Sequence, residues 1–582
     1  MKFGELVEDY QLSWSEIDSF IQNARPIVIR IPKDQVFRVK WFEGYYRPKQ
    51  TESKQFFYIY GSKILLGLRW RVRDENTLVL EEALLNGNYH IERDVVIKLL
   101  QAAHELANVR SILVETASCE PSWRYWLKQA GAETDSEGLV LTPTYRQGLV
   151  LSGGGAKGAY QIGAWQAFNE VDWTINIITG TSVGALNGGL IMQGDFEAAK
   201  QMWEEIATDK ILDFPLESEG SVYQPEQLLD NIQAFIKAAL LNKGVSTEPL
   251  KTMIDKLLIP RKIKQNLADF YLCTTRLRSM REQVIEIKNQ PDELVSQWLL
   301  ASSSFFPAMS ATDVQGEAYI DGGYRNNIPL DVALERGATS LMVVDIVGPG
   351  VTKINTIAPE IPVRMLRSHW SLGTVLLFDH ERSKWNIKLG YLEAKKMLGD
   401  LSGRHYSFNY AAEQQPLRAI NYRLLRRVFS DKQIKVLSND ELDAIIRKIR
   451  KLSNDRVSVH TWLFDLFEHL AKILGVVPTQ VYSYESFIEE IVMAYDQARG
   501  EKTQVSADML LSMGEYWHRY FGNTPLISER AQLLLLTDLR LQDKISTDIY
   551  KKIALINAPL VIMAQMLATF IEERGNEDGS RI

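Results

Sequence analysis

Two cysteines, Cys119 and Cys273, are all that the 582 residues contain. That excludes a disulfide-built scaffold and a zinc site of four cysteine ligands, and it predicts reduced structural thiols in a cytoplasmic protein. A basic excess is missing too: 66 Lys and Arg stand against 73 Asp and Glu, a net charge of −7. Nucleic-acid binding needs a basic face for the phosphate backbone, so no nucleic-acid partner is expected. The first ten residues, Met1 to Tyr10, hold no apolar signal core, which predicts no cleaved export signal. Nor is there a clean run of the roughly 20 apolar residues that a membrane span requires. The longest candidate, Ala554 to Ile571, is interrupted by Asn557, Pro559 and Gln565 and reads as a buried helix.

What is present is a globular composition, 46% hydrophobic and 24% charged, which rules out bulk disorder. The texture changes twice along the chain, giving segments 1–145, 146–410 and 411–582. The first reads as mixed α/β, with strands over Pro26–Pro32, Phe56–Tyr60, Ile64–Arg73, Thr77–Leu85 and Ser111–Thr116, and helices near Glu92–Leu106 and Pro121–Gln129. The second alternates short apolar runs with helical patterns: Leu149–Leu151, Ile175–Thr179, Phe270–Thr274 and Leu341–Ile346. Such runs predict an α/β fold, a mainly parallel central sheet sandwiched by helices. A long, mostly helical stretch, Gln201–Leu267, is too long for a simple crossover and suits the wall or cover of a cleft. The third segment reads as all-α, with helices opening at the Ser438–Glu441 capping box and over His460–Leu474, Glu485–Arg499, Ala507–Phe521 and Arg530–Leu541.

The chemistry lies in the middle segment. Ser152-Gly153-Gly154-Gly155-Ala156-Lys157-Gly158 follows an apolar strand and precedes a helical pattern. Glycines there let backbone N–H groups converge, a helix start adds a positive dipole end, and Lys157 adds a cation. Taken alone the loop is an anion cradle, a dinucleotide fingerprint (Gly153, Gly155, Gly158) or a plain tight turn. A dinucleotide site wants a carboxylate at the end of the second strand, where this chain has Gly180-Thr181-Ser182. Gly180-Thr181-Ser182-Val183-Gly184 is a G-x-S-x-G between a strand and a helix, the setting of a nucleophile elbow. A serine needs a base, yet no histidine lies between His104 and His369. The simplest base is a carboxylate, and Asp321, opening the turn Asp321-Gly322-Gly323, is the best placed. In isolation that D-G-G is only a turn.

In their order, these three motifs resemble the patatin-like phospholipases. Ala301-Ser302-Ser303-Ser304-Phe305-Phe306-Pro307-Ala308 and Asn326-Asn327-Ile328-Pro329 add to the resemblance, which runs from about Gln147 to Val347 and at most to about residue 400. It implies acyl-ester hydrolysis of lipids, of phospholipase A or lysophospholipase type, by a Ser182–Asp321 dyad without metal or cofactor. It also implies an oxyanion hole from Gly153, Gly154 and Gly155, supported by Lys157, Gly158, Gly180, Gly184, Gly322 and Gly323. Lys157 would orient the loop, meet a lipid phosphate, or stand solvated on a first helical turn. The substrate would be a lipid or phospholipid, reached from the cytoplasm with peripheral contact at a membrane surface. The rival readings are a dinucleotide-dependent oxidoreductase and a non-catalytic interaction or regulatory protein on a hydrolase fold.

The segment from Ser111–Thr116 through Glu120-Pro121-Ser122-Trp123-Arg124-Tyr125-Trp126-Leu127 to Gly131-Ala132-Glu133 is similar to the back half of a GNAT-type acyltransferase. That family holds the coenzyme A pyrophosphate on a glycine-bearing loop, whereas Asn86 to Arg93 here contains only Gly87. A degenerate module that binds no acetyl-coenzyme A is expected. The C-terminal helices match no family, and regulation, dimerisation, lipid-surface docking and plain scaffolding all stay open for them.

Overall fold

The computed structural model describes residues 2–8, 12, 14–29, 53–74, 77–106, 110–171, 173–208, 211, 246–353, 356–409, 417–428, 447–448, 462–500, 528–542 and 547–579. The helices expected from Ser438 and over Ala507–Phe521 lie outside the described residues, as does most of the 209–245 part of the long helical stretch.

The N-terminal sheet holds β1 (Gly4–Glu8), β2 (Ala24–Ile29), β3 (Ser53–Tyr60), β4 (Lys63–Asp74), β5 (Thr77–Asn86), β6 (Ser111–Glu115), β7 (Glu133–Thr134) and β8 (Gly138–Leu141). Its order is β1-β3-β4-β5-β6-β8-β7, with β2 paired to β5. One edge of β5 runs along β4, and the other is shared. Its first residues pair in parallel with β6, Thr77 opposite Ser111, and its last pair antiparallel with β2, Asn86 opposite Ala24. Helix Arg93–Leu106 buries Val96, Leu99, Leu100 and Ala103, a helical spacing, against strand residues such as Leu66, Leu68 and Ile112. The Tyr58 hydroxyl donates to the Pro359 carbonyl at 2.7 Å and that of Tyr60 to Ile357 at 3.0 Å. These bonds lie inside one compact unit, made of Met1–Leu6, Ala24–Ile31 and Phe56–Gly399.

The central sheet of that unit holds β9 (Gln147–Leu151), β10 (Ile177–Thr181), β11 (Asp269–Arg276), β12 (Arg281–Glu286), β13 (Thr312–Val314), β14 (Glu317–Asp321), β15 (Ser340–Val344) and β16 (Val363–Leu366). The order is β13-β14-β11-β10-β9-β15-β16, with β12 also on β11. Strands β11, β10, β9, β15 and β16 run parallel, as the apolar runs predict. They are covered on both faces. Leu149, Leu151, Ile178, Leu272 and Val344 face one cluster, and the alternate residues Val150, Ile177, Cys273 and Val343 face another. Strands β12, β13 and β14 are antiparallel additions. The partly exposed, polar sequences of β12 and β13 gave no apolar run to read, whereas β14 contains the short apolar segment Ala318–Ile320. Helices Ala159–Glu170 and His380–Leu398 cross backbone to backbone on the first face: a Cβ at Gly163 would lie 1.9 Å from the Ile387 carbonyl, and one at Gly390 2.1 Å from that of Tyr160.

The second unit comprises Val7–Asn23, Pro32–Gln55 and Asp400–Ile582. Helices Trp462–Leu474, Tyr484–Gly500 and Thr547–Gly579 meet through aromatic rings, with Phe467 4.9 Å from Phe487 and 5.8 Å from Phe570. The buried Glu468 carboxylate accepts the backbone N–H groups of Arg404, His405 and Tyr406 at 3.0–3.1 Å. The expected Ala554–Ile571 helix is broken at Asn557 (φ −138°, ψ 72°), just before Pro559, and its Leu560–Leu567 stretch is largely buried. Among the described residues no helix is long and apolar enough to cross a membrane. Both cysteines are buried and unpaired.

Candidate active site

Strand register brings the two expected reacting side chains together. The last residue of β10, Thr181, stands opposite Cys273 of β11. The next residue of β11, Thr274, stands opposite Asp321 of β14. Strand β14 therefore takes over the edge of β11 where β10 stops, and Ser182, the residue after Thr181, meets Asp321. The Ser182 hydroxyl stands close enough to the Asp321 carboxylate to pull its pKa down against burial.

Ser182 sits at φ 56° and ψ −128°, outside the regions that side-chain-bearing residues usually adopt. Its surroundings hold it there. The Ser302 hydroxyl accepts the Ser182 N–H at 3.0 Å and donates to the Cys273 carbonyl at 2.6 Å. Crowding explains the flanking glycines: a Cβ at Gly180 would lie 2.5 Å from the Gly184 carbonyl, and one at Gly184 2.3 Å from that of Leu151. Helix Val183–Gln193 starts directly after the serine and directs its N-terminus at the same point.

Asp321 is 3% exposed. Burial pushes its pKa up to about 6, against the opposing pull of the Ser182 hydroxyl and the Gly323 N–H. The Gly323 N–H reaches the carboxylate at 2.7 Å. A Cβ at Gly322 would lie 2.2 Å from the Cys273 carbonyl, and one at Gly323 3.0 Å from the Asp321 carboxylate, so the turn admits little else.

The glycine loop departs from expectation at one residue. The Gly153 N–H donates to the Asn327 carbonyl at 3.1 Å and is engaged already. The next two amides, of Gly154 and Gly155, have no hydrogen-bond partner among the described residues, and both glycines line the cavity with Ser182. Ala156 N–H donates to the Val375 carbonyl at 2.8 Å. Lys157 does not line the cavity; its ammonium donates to the Val347 carbonyl at 2.8 Å, and burial lowers its pKa. It ties the loop to the segment following β15. Gly158 packs against the elbow helix, where a Cβ would lie 2.5 Å from a Val183 methyl. Below the loop a buried amide chain fixes its carbonyls. Gln161 donates to Ser152 at 2.8 Å, and Asn187 donates to Gly158 at 3.0 Å while accepting from the Trp203 indole at 3.0 Å.

Ser182 and Asp321 stand at the wall of a cavity of about 340 Å³. Aliphatic and aromatic side chains make up most of the rest of it: Leu186, Leu190 and Trp203 from one side, Leu250, Met253 and Ile254 from another, Leu376 and Phe378 closing it. Among the described residues Asp321 is the one carboxylic acid in the lining, and no described histidine contributes to it.

Residues 149–334 match the family model for patatin-like phospholipase. The chain carries a patatin-like phospholipase domain. Among curated relatives, the lysophospholipase NTE1 of Mycosarcoma maydis is 28% identical over 34% of this chain and 10% of its own length. The patatin-like phospholipase domain-containing protein 7 of Rattus norvegicus is 25% identical over 34% of this chain and 13% of its own length. The match thus spans only about a tenth to an eighth of these relatives. The match to the solved structure of VipD from Legionella pneumophila covers 75% of this chain and 92% of that one at 13% identity, with a TM-score of 0.30. The patatin-like family is a hydrolase family, and its domain here contains all three sequence motifs. Two residues of this cleft carry roles that the sequence does not signal: Ser302, which holds the elbow, and Asn327, which occupies the Gly153 amide. Each acts across more than 100 residues of chain, a relation no local pattern encodes.

Proposed function

We propose that the protein hydrolyses carboxylic esters of lipids, in the manner of a phospholipase A or lysophospholipase, with Ser182 as nucleophile and Asp321 as base. The observation that carries this reading is the meeting of a strained-turn serine and a buried carboxylate at the wall of an apolar cavity. Ser182 Oγ attacks the ester carbonyl carbon while its proton passes to Asp321. The carbonyl oxygen becomes an oxyanion and takes the free Gly154 and Gly155 amides. Collapse breaks the bond to the alcohol, which leaves with the proton from Asp321. Water then attacks the acyl-serine, Asp321 accepts a proton from it, and the fatty acid departs as Ser182 is reprotonated. A carboxylate whose pKa is about 6 suits both steps near neutral pH, being ionised enough to accept and acidic enough to return the proton. The apolar wall would hold the acyl chain.

The test is hydrolysis of a p-nitrophenyl acyl ester by the full chain and by Ser182→Ala. The variant should fold normally and lose activity to background. Retained turnover in the alanine variant would refute the assignment.

A further inference from the structure

We infer that the two consecutive helices within Glu248–Gln265, with their flank Leu267, are a docking surface for an anionic lipid bilayer. The helices are Glu248–Leu257 and Pro260–Gln265. The first helix and the residue after it supply Leu250, Met253, Ile254, Leu257 and Leu258 to one wall of the cavity; the second helix follows outside it. Their outer residues differ sharply from the rest of the molecule. Over this segment five cations, Lys251, Lys256, Arg261, Lys262 and Lys264, stand against two acids, Glu248 and Asp255, in a chain of net charge −7. Lys251 pairs with Glu248 and Lys264 with Asp292. Lys256, Arg261 and Lys262 are exposed and have no acidic partner among the described residues. Beside them stand two large apolar side chains in solvent, Ile259 at 46% exposure and Leu267 at 98%.

The local geometry keeps these side chains out. Ile263 is fully buried, so the positions one and two residues before it and two after, Lys262, Arg261 and Gln265, occupy the opposite, solvent face of the short helix. The Lys288 ammonium donates to the Leu267 carbonyl at 3.2 Å, fixing the backbone there while the Leu267 side chain stays free. Unpaired cations interleaved with exposed apolar groups match the two attractions a bilayer offers, charged headgroups and an apolar interior just beneath. An acidic protein would use the cations but gives no reason for Leu267. A bilayer against the outer side of helix Glu248–Leu257, where Lys256 is exposed, would lie one helix diameter, about 10 Å, from the cavity.

Binding does not require hydrolysis, so the test uses the full chain carrying Ser182→Ala, and its outcome is separate from that of the catalytic reading. Association is measured by co-sedimentation with vesicles of phosphatidylcholine, or of equal parts phosphatidylcholine and phosphatidylglycerol. The chain should associate with the anionic vesicles, less so at high salt, and little with the neutral ones. Combined Lys256→Glu, Arg261→Glu and Lys262→Glu should weaken association by on the order of a hundredfold, at about fivefold or more per cation. The same charge change at the exposed Lys98, Lys128 and Lys388 should cost only a few-fold. Leu267→Ala with Ile259→Ala should weaken association at every salt concentration. In the chain with Ser182 intact, hydrolysis of a soluble short-chain ester should be unchanged by these substitutions. Equal losses from the two triple variants, equal binding to both vesicle types, or no binding to either would overturn the inference. Capture by polyglutamate without capture by anionic vesicles would overturn it in favour of an acidic protein partner.

Discussion

At the residue scale, the account turns on a carboxylate held where carboxylates are uncomfortable. With a pKa near 6, Asp321 is protonated and idle in acid, so kcat/KM should rise with pH through about 6 and level off above. A profile flat down to pH 4 would remove Asp321 from the role of base. The same shift has a stability consequence of fixed sign. A carboxyl whose pKa is raised by folding favours the native state below its unfolded value of 3.8, and that benefit is lost as pH rises through about 6. Above that, the buried charge costs on the order of 3 kcal/mol. Asp321→Asn escapes this cost. It should lower activity by about 10²–10⁴ while raising the melting temperature at pH 8 by several degrees, with the gain fading toward pH 4. Ser302 makes a different prediction. Ser302→Ala leaves the Ser182 N–H and the Cys273 carbonyl without their shared partner. It should lower kcat by about 10–100-fold with little change in KM, because a misplaced nucleophile affects the reaction more than binding. Ser302→Thr, which keeps the hydroxyl, should restore much of the loss.

At the element scale, the chemistry depends on where strands stop. The parallel core was legible because β9, β10, β11 and β15 are short and almost wholly buried, and the motifs follow directly at their ends. The partners of those motifs were not legible. Nothing in the sequence around Asp321 says that β14 pairs antiparallel with β11 one residue beyond Cys273, yet that register is what sets Asp321 against Ser182. Likewise, three consecutive glycines look equivalent in sequence, and only the Asn327 carbonyl 174 residues away singles out Gly153 as engaged. Cavity shape is also an element property. Helix Glu248–Leu257 turns Met253 into the cavity. Met253→Trp should fill part of it and lower kcat/KM for long acyl esters at least tenfold more than for a butyrate ester. An equal effect on both chain lengths would mean that the acyl chain lies elsewhere.

At the scale of the whole molecule, the N-terminal sheet bears on a second activity. The sequence resemblance of residues 111–133 to an acyltransferase raises the question of coenzyme A. The far half of β5 is occupied by β2, and Val28 of β2 bridges Cys119 beyond β6. In the turn before helix Arg93–Leu106, the Asn88 N–H is taken by the Asn86 side chain at 3.0 Å and the Tyr89 N–H by the Asn86 carbonyl at 3.4 Å. Those two amides are engaged and are not offered to a pyrophosphate. Calorimetric titration of the full chain with acetyl-coenzyme A should show no saturable heat, and micromolar binding would make the chain a two-enzyme fusion. The central claim, that Ser182 is a nucleophile activated by Asp321, is tested most directly by labelling the full chain with a fluorophosphonate and mapping the modified peptide. The account predicts one adduct, on Ser182, abolished in Ser182→Ala and slowed strongly in Asp321→Asn. An adduct on another serine, or undiminished labelling of Ser182 in Asp321→Asn, would contradict it.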